Sequence, residues 1–287
     1  MYQSADDRPA QGRRARSVSD DIRYEVKGRV AIVRLNRPDK LNAFTYDMLA
    51  AFRDRIDEAV RDSAITAIVV TGTGRAFCAG IDVSLLEQSV TEGRESEGRD
   101  HIRDGDLPAL FSFLLRVPKP VIAAVNGVAA GGGFVLAMMC DMRVVADDAY
   151  LATIFSRRGL IAEHAMSWIL PRQIGTSRAL DLLWSSRKVG AREALAIGLA
   201  DRISNPEALL DDVAAYVEEL AASVSPRAMA VIKRQVYAHW SAALREASIE
   251  CEWQMNEALA HSDAEEGARS FVERREPRFG SLEVRLP

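Results

Sequence analysis

Apolar and polar positions along the first two thirds of the chain follow two different periods. Short β-branched runs at residues 24–26, 30–35 and 65–71 predict strands, and the stretch 45–60 between them predicts a helix. Within that helix Met48, Phe52, Ile56 and Val60 recur every four residues, leaving Arg53, Asp54, Asp57 and Arg61 to solvent. One face is therefore expected to pack on a sheet. The runs Ala67-Ile-Val-Val-Thr-Gly72 and Val121-Ile-Ala-Ala-Val-Asn-Gly127 are compact, rich in β-branched residues and ended by glycine. Strands buried on both faces have this composition. The alternation predicts a mixed α/β fold.

From Asn205 the pattern turns to helices alone. Asn205-Pro206 and Ser225-Pro226 each offer an N-cap followed by proline at the first helical position, and Ser262 with Glu265 offers a capping box. Leu209, Val213, Val217 and Leu220 form one apolar stripe; Met229, Ile232, Val236 and Trp240 form another. Such stripes need a surface to cover them, on this subunit or on a second one. Three regions follow: a mobile tail over residues 1–20, a core over 21–204 and a helical region over 205–287. Residues 88–106 carry Glu92, Arg94, Glu95, Glu97, Arg99 and Asp100 among few large apolar side chains, and read as an exposed, mobile segment.

Composition narrows the function. The chain has 287 residues, 48% of them apolar and 27% charged, enough to bury a sizeable core. A net charge of -4 gives no cationic surplus for neutralising nucleic-acid phosphates. No apolar run is long enough to span a bilayer, and no signal-peptide core follows the N-terminus. Cys78, Cys140 and Cys251 are too far apart for a zinc site, and His101, His239 and His261 lack ligand spacing, so no metal is expected. The cysteines read as reduced thiols of a cytoplasmic protein.

Two glycine-marked turns carry the candidate chemistry: Arg75-Ala-Phe-Cys-Ala-Gly-Ile-Asp82 and Asn126-Gly-Val-Ala-Ala-Gly-Gly-Gly133. The first lacks the Gly-Lys-Ser/Thr of a phosphate loop and the second does not fit GxGxxG. A glycine triplet running into the apolar stretch 134–139 instead exposes main-chain N–H groups at a helix N-terminus, where developing negative charge is favoured.

Together these turns resemble the crotonase, or enoyl-CoA hydratase/isomerase, family. Further segments carry the resemblance in order: Leu35-Asn-Arg-Pro-Asp-Lys-Leu-Asn-Ala43, Met139-Cys-Asp-Met-Arg-Val-Val-Ala146, Ala191-Arg-Glu-Ala-Leu-Ala-Ile-Gly-Leu-Ala200 and Phe271-Val-Glu-Arg-Arg-Glu-Pro-Arg-Phe279. The resemblance implies a spiral of ββα units followed by helices that assemble trimers, commonly paired into hexamers. It implies an acyl-CoA substrate whose thioester oxygen is held by the main-chain N–H groups of Ile81 and Gly132. It places main-chain contacts to the CoA adenine around Lys40, Ala43 and Ala79. Coenzyme A belongs to the substrate, and no separate cofactor is implied.

The departures from the family pattern are as informative. The two glutamates of family hydratases are replaced by Val135 and Phe155, neither of which can carry a proton, and a lysine often found near the CoA phosphates is replaced by Ser84. Arg37, Lys40 and Arg75 are candidates to compensate for it. In Gly159-Leu-Ile-Ala-Glu-His-Ala-Met-Ser-Trp168, Glu163 falls where family isomerases often carry a sole acid. The expectation is isomerisation of a 3-enoyl-CoA to a 2-enoyl-CoA, with Glu163 as acid and base and Val135, Phe155 and Trp168 as apolar neighbours of the substrate. His164 is a candidate to orient Glu163, and Asp82 to shape its turn. The alternatives are hydration of a 2-enoyl-CoA by Glu163, thioester hydrolysis or lyase chemistry, and binding of acyl-CoA without turnover.

Overall fold

A computed structural model describes residues 18–82, 85, 103 and 106–282 of the chain. Of the tail expected over 1–20, residues 1–17 lie outside the described residues. Val18–Asp21 form one helical turn, and the Asp20 carbonyl accepts from Asn36 Nδ2 at 2.7 Å. The segment 88–106 also lies outside them, apart from Arg103 and Asp106, which pair with Asp57 and Arg53. Residues 283–287 are likewise not described.

Two sheets organise the core. The larger runs β1 (Ile22–Lys27), β2 (Val30–Leu35), β3 (Ala67–Gly72), β5 (Val121–Val125), β7 (Met142–Ala146) and β10 (Arg202–Ser204) in that spatial order. Only the β1–β2 hairpin is antiparallel; the other neighbours are parallel. All positions of β3 and β5 are buried, as expected of strands covered on both sides. The smaller sheet contains β4 (Ala76–Cys78), β6 (Val128–Ala130), β8 (Tyr150–Ala152) and β9 (Val189–Gly190). From β3 to β8 successive strands thus alternate between the sheets, which makes the repeating turn of a spiral.

The helix predicted over 45–60 spans Tyr46–Arg61, with Thr45 Oγ1 accepting the Met48 amide, and Met48, Phe52, Ile56 and Val60 are its buried face. In the helical region Ser225 caps Pro226–His239 as expected, accepting the Ala228 amide at 3.0 Å. Two other starts shift. Asn205 Oδ1 instead takes the Glu207 amide in a turn, and the helix begins three residues later as Leu209–Ser223. His261, not Ser262, caps Ser262–Glu273, because its Nδ1 accepts the Asp263 amide. The first shift arises because a short polar side chain satisfies a nearby amide equally well in a turn; the second, because the His261 ring nitrogen reaches an amide of the first helical turn from one residue earlier.

The helix Pro226–His239 is pinned to the core through Asp141. Lys233 Nζ donates to Asp141 Oδ2 (2.7 Å) and to the carbonyls of Leu114 and Lys119, and the Tyr237 hydroxyl donates to Asp141 Oδ1 (2.9 Å). The described residues leave its apolar stripe partly uncovered, with Ile232 and Val236 about half exposed.

Candidate active site

Parallel pairing in the smaller sheet sets the geometry of the site. Cys78 on β4 is in register with Ala129 on β6, and Ala130 with Ala152 on β8. The loops leaving these strands, 79–82, 131–133 and 153–165, must therefore emerge along one edge. They come from widely separated stretches of sequence.

The first two loops touch through glycine. Gly80 has φ +114°, and a Cβ built there would lie 3.2 Å from the Gly132 nitrogen. Phe44 bridges to Ile81: the Phe44 N–H donates to Gly80 O (2.8 Å) and the Asp82 N–H to Phe44 O (2.9 Å). This parallel bridge leaves the Ile81 N–H on the side of the chain away from Phe44. Gly132 opens the helix Gly132–Met139, so its N–H has no partner one turn back. Neither amide has an acceptor among the described residues. Two adjoining donors, one at a helix N-terminus, suit an oxygen that gains negative charge.

Close approach demands glycine most strictly at 133. A Cβ there would meet Cys78 O at 2.0 Å, whereas one at Gly132 would make ordinary contacts of 3.4–3.5 Å with Gly80 and Ile81. The sequence signal for this, a third consecutive glycine, is visible but does not say which of the three is constrained.

Glu163 is half-buried in the turn that leads into the helix Met166–Ile174, where its carbonyl accepts the Met166 amide at 3.0 Å. That helix packs against Gly132–Met139, which links the acid's loop to the helix bearing the Gly132 amide. Val135 and Phe155 are buried in the apolar core, and Ile81, Leu160 and Ala162 pack against the same cluster. No proton-carrying side chain stands at either position. Trp168 departs from the expectation that it neighbours Glu163 in the pocket. It lies on the face of its helix opposite the buried Met166, Ile169 and Leu170. There it meets Trp240 edge-on at 5.1 Å, with the Arg172 guanidinium 3.9 Å above its ring. An apolar tryptophan after an acid does not reveal which way a helix will turn it.

At the edge expected to meet CoA, the Lys40 side chain is exposed while Ala43 is buried. The Ala43 N–H donates to Lys40 O (3.0 Å) and the Ala79 N–H to Leu41 O (2.9 Å), so both amides are committed within the loops. Arg37 is not a loose surface charge. It donates to Ala43 O (2.8 Å) and to Asp82 Oδ2 (3.1 Å), clamping the 37–43 loop to the turn after β4. Asp82 thus shapes its turn through a guanidinium as well. Ser84 lies outside the described residues.

Left-handed backbone clusters around these loops. Leu41, Asn42, Phe111, Ile154, His164 and Ala165 all have positive φ, and Ile154 and His164 directly flank Phe155 and Glu163. Such conformations cost roughly 1–3 kcal/mol each and gather where the surroundings impose them, often at functional sites. Sequence reasoning missed them, because of these residues only Asn42 and His164 are types that favour the region. The nearby thiols offer no rival nucleophile: burial pushes Cys78 and Cys140 up to about 12. Among the described residues, no group of three or more His, Cys, Asp or Glu side chains is placed to hold a metal.

Comparison with known proteins identifies relatives along nearly the whole chain. The family described as enoyl-CoA hydratase/isomerase matches residues 25–282. A Thermus thermophilus protein named as a candidate enoyl-CoA hydratase is 36% identical over 257 residues, covering 88% of this chain and 98% of that protein. The crystal structure of enoyl-CoA hydratase from Mycobacterium tuberculosis superposes with a TM-score of 0.81 at 27% identity, over 92% of this chain and 100% of that one. That of an enoyl-CoA hydratase from Polaromonas gives 0.81 at 29% identity, over 90% and 99%.

Proposed function

The chain belongs to the enoyl-CoA hydratase/isomerase family, and from that premise we propose that it moves the double bond of a 3-enoyl-CoA into conjugation, with Glu163 as the single acid and base. The observation that carries this reading is the pair of amides at Ile81 and Gly132, which have no acceptor among the described residues, together with the buried, apolar Val135 and Phe155. Glu163 takes a proton from C2, leaving a dienolate whose oxygen receives the two N–H groups. The same carboxyl returns the proton to C4, and the double bond comes to rest between C2 and C3. Each preorganised donor is worth about 3–4 kcal/mol of barrier. The shuttle is redox-neutral and uses no cofactor beyond the CoA carried by the substrate. Contact with the CoA adenine would run through carbonyls of the loops at Lys40, Ala43 and Ala79: the Ala43 and Ala79 amides have spent their one proton, whereas the Lys40 and Ala43 carbonyls, though bonded, keep a second lone pair.

A second reading, addition of water to a 2-enoyl-CoA with Glu163 as base, is favoured by the names of the relatives. It needs a separate acid for the proton delivered to C2, and the two positions that supply acids in the family's hydratases are apolar here. Paired assays separate the two. The expected result is a rise in conjugated-thioester absorbance with 3-enoyl-CoA substrates and no sustained loss of it with 2-enoyl-CoA. Steady water addition to the 2-enoyl substrate, with no conjugation of the 3-enoyl one, would reverse the assignment.

The helical region over 205–287 serves assembly in this proposal. Leu244, Ile249, Trp253, Leu259, Phe271 and Val272 are each at least 60% exposed, and exposed apolar side chains of this kind mark an interaction surface. A homotrimer, or a pair of trimers, would cover it. Sedimentation at micromolar concentration should show three or six subunits; a stable monomer would refute the assembly.

A further inference from the structure

Glu163 is followed by two residues in the left-handed region, His164 at φ +51° and Ala165 at φ +62°. Neither is glycine, so the turn does not adopt this shape for free; something outside it must hold it. The His164 ring provides one such tie, its Nδ1 accepting the Leu110 N–H at 3.2 Å. An accepting Nδ1 carries no proton, which puts the ring hydrogen of the neutral imidazole on Nε2.

Leu110 leads directly to the other half of the site. Phe111, the next residue, is itself left-handed at φ +61° and buried, and its ring packs 5.1 Å from Phe44 and 5.7 Å from Phe52. Phe44 in turn is bridged through its main chain to the strand segment that carries the Ile81 amide. An unbroken series of contacts therefore runs from the residue beside the acid, through a strained turn and a packed aromatic trio, to one of the two donors. The bond between His164 and Leu110 joins the two strained turns.

We infer that His164 is a positioning residue, whose ring, by accepting the Leu110 amide, sets the Glu163 carboxyl against the Ile81 donor. This rests on the reading of Glu163 as the acid and base. His164 need not touch substrate. Its effect is expected in the chemical step, because the bond it makes lies directly beside the acid.

Three variants test it, assayed with a 3-enoyl-CoA and compared with Glu163→Gln. His164→Gly accepts positive φ without strain but gives Leu110 no acceptor. His164→Asn also tolerates the left-handed backbone and offers Oδ1 in the place of Nδ1. His164→Gln carries its acceptor one bond too far out. The expected result is a fall in kcat of roughly 10- to 100-fold for the Gly and Gln variants with KM little changed, the scale of a misplacement by about 1 Å, and a return of most of kcat with Asn. Full kcat in His164→Gly, or an Asn variant as impaired as Gly, would overturn the role of the acceptor. If Glu163→Gln is inactive while His164→Gly is not, the positioning inference fails alone; if Glu163→Gln keeps parental turnover, the acid and base assignment fails first.

Discussion

Glu163→Gln is expected to lower the turnover of a 3-enoyl-CoA by about 10²- to 10⁴-fold, the usual contribution of a positioned acid and base. Glutamine keeps the size and hydrogen-bonding capacity of the side chain but cannot shuttle a proton. No other proton carrier replaces it at the positions that hold acids in the family's hydratases, where Val135 and Phe155 are buried in the core. Because Glu163 lies in a half-buried turn and not in the packed interior, the variant should unfold at nearly the parental denaturant concentration. Exchange of the C2 protons of a saturated acyl-CoA in D₂O offers an independent readout. It should stop in the variant even though the two amide donors remain. Exchange and isomerisation both continuing at the parental rate would sink the assignment.

Gly133→Ala is expected to destabilise the protein by about 3 kcal/mol or more and to cut kcat as well. The added methyl would sit 2.0 Å from Cys78 O, and that carbonyl ends a fully buried strand paired with β6. Neither partner is a flexible side chain, so relief requires the helix Gly132–Met139 to move off the sheet. Such a movement would carry the Gly132 amide away from Ile81. Gly132→Ala is the control, since its methyl meets Gly80 and Ile81 at 3.4–3.5 Å and can be accommodated. Denaturant midpoints of the two variants should differ clearly. Equal midpoints would mean that the close approach at 133 does not govern the packing of this helix.

Glu163 and Gly133 show how unevenly the site could be read. Glu163 and the amides at 81 and 132 were candidates through the family resemblance of short segments, the run after Gly159 and the two glycine-marked turns, because those signals lie within a few neighbouring residues. The direction of Trp168 was not evident: helical periodicity says which residues share a face, but not which neighbour that face will meet. Arg37 illustrates the same limit. Its partners Ala43 and Asp82 lie on two different loops, and only their approach turns a surface charge into a clamp. The helix start near Asn205 was displaced for a smaller reason, the readiness of a short polar side chain to cap a turn in place of a helix, and the cap expected at Ser262 passed to the His261 ring.

By itself the order of residues determined the elements, since the burial of β3 and β5, the stripe from Met48 to Val60 and the cap at Ser225 depend on periodicities only a few residues long. It also determined the chemical inventory: one acid at 163, apolar side chains at 135 and 155, and glycines where backbone must be bare. Only the tertiary structure decided that the ends of β4, β6 and β8 share an edge, that Gly133 must be glycine because of Cys78, and that His164 reaches Leu110. These are contacts between segments tens of residues apart. No local pattern encodes them, because they arise from strand pairing and close packing of the whole core.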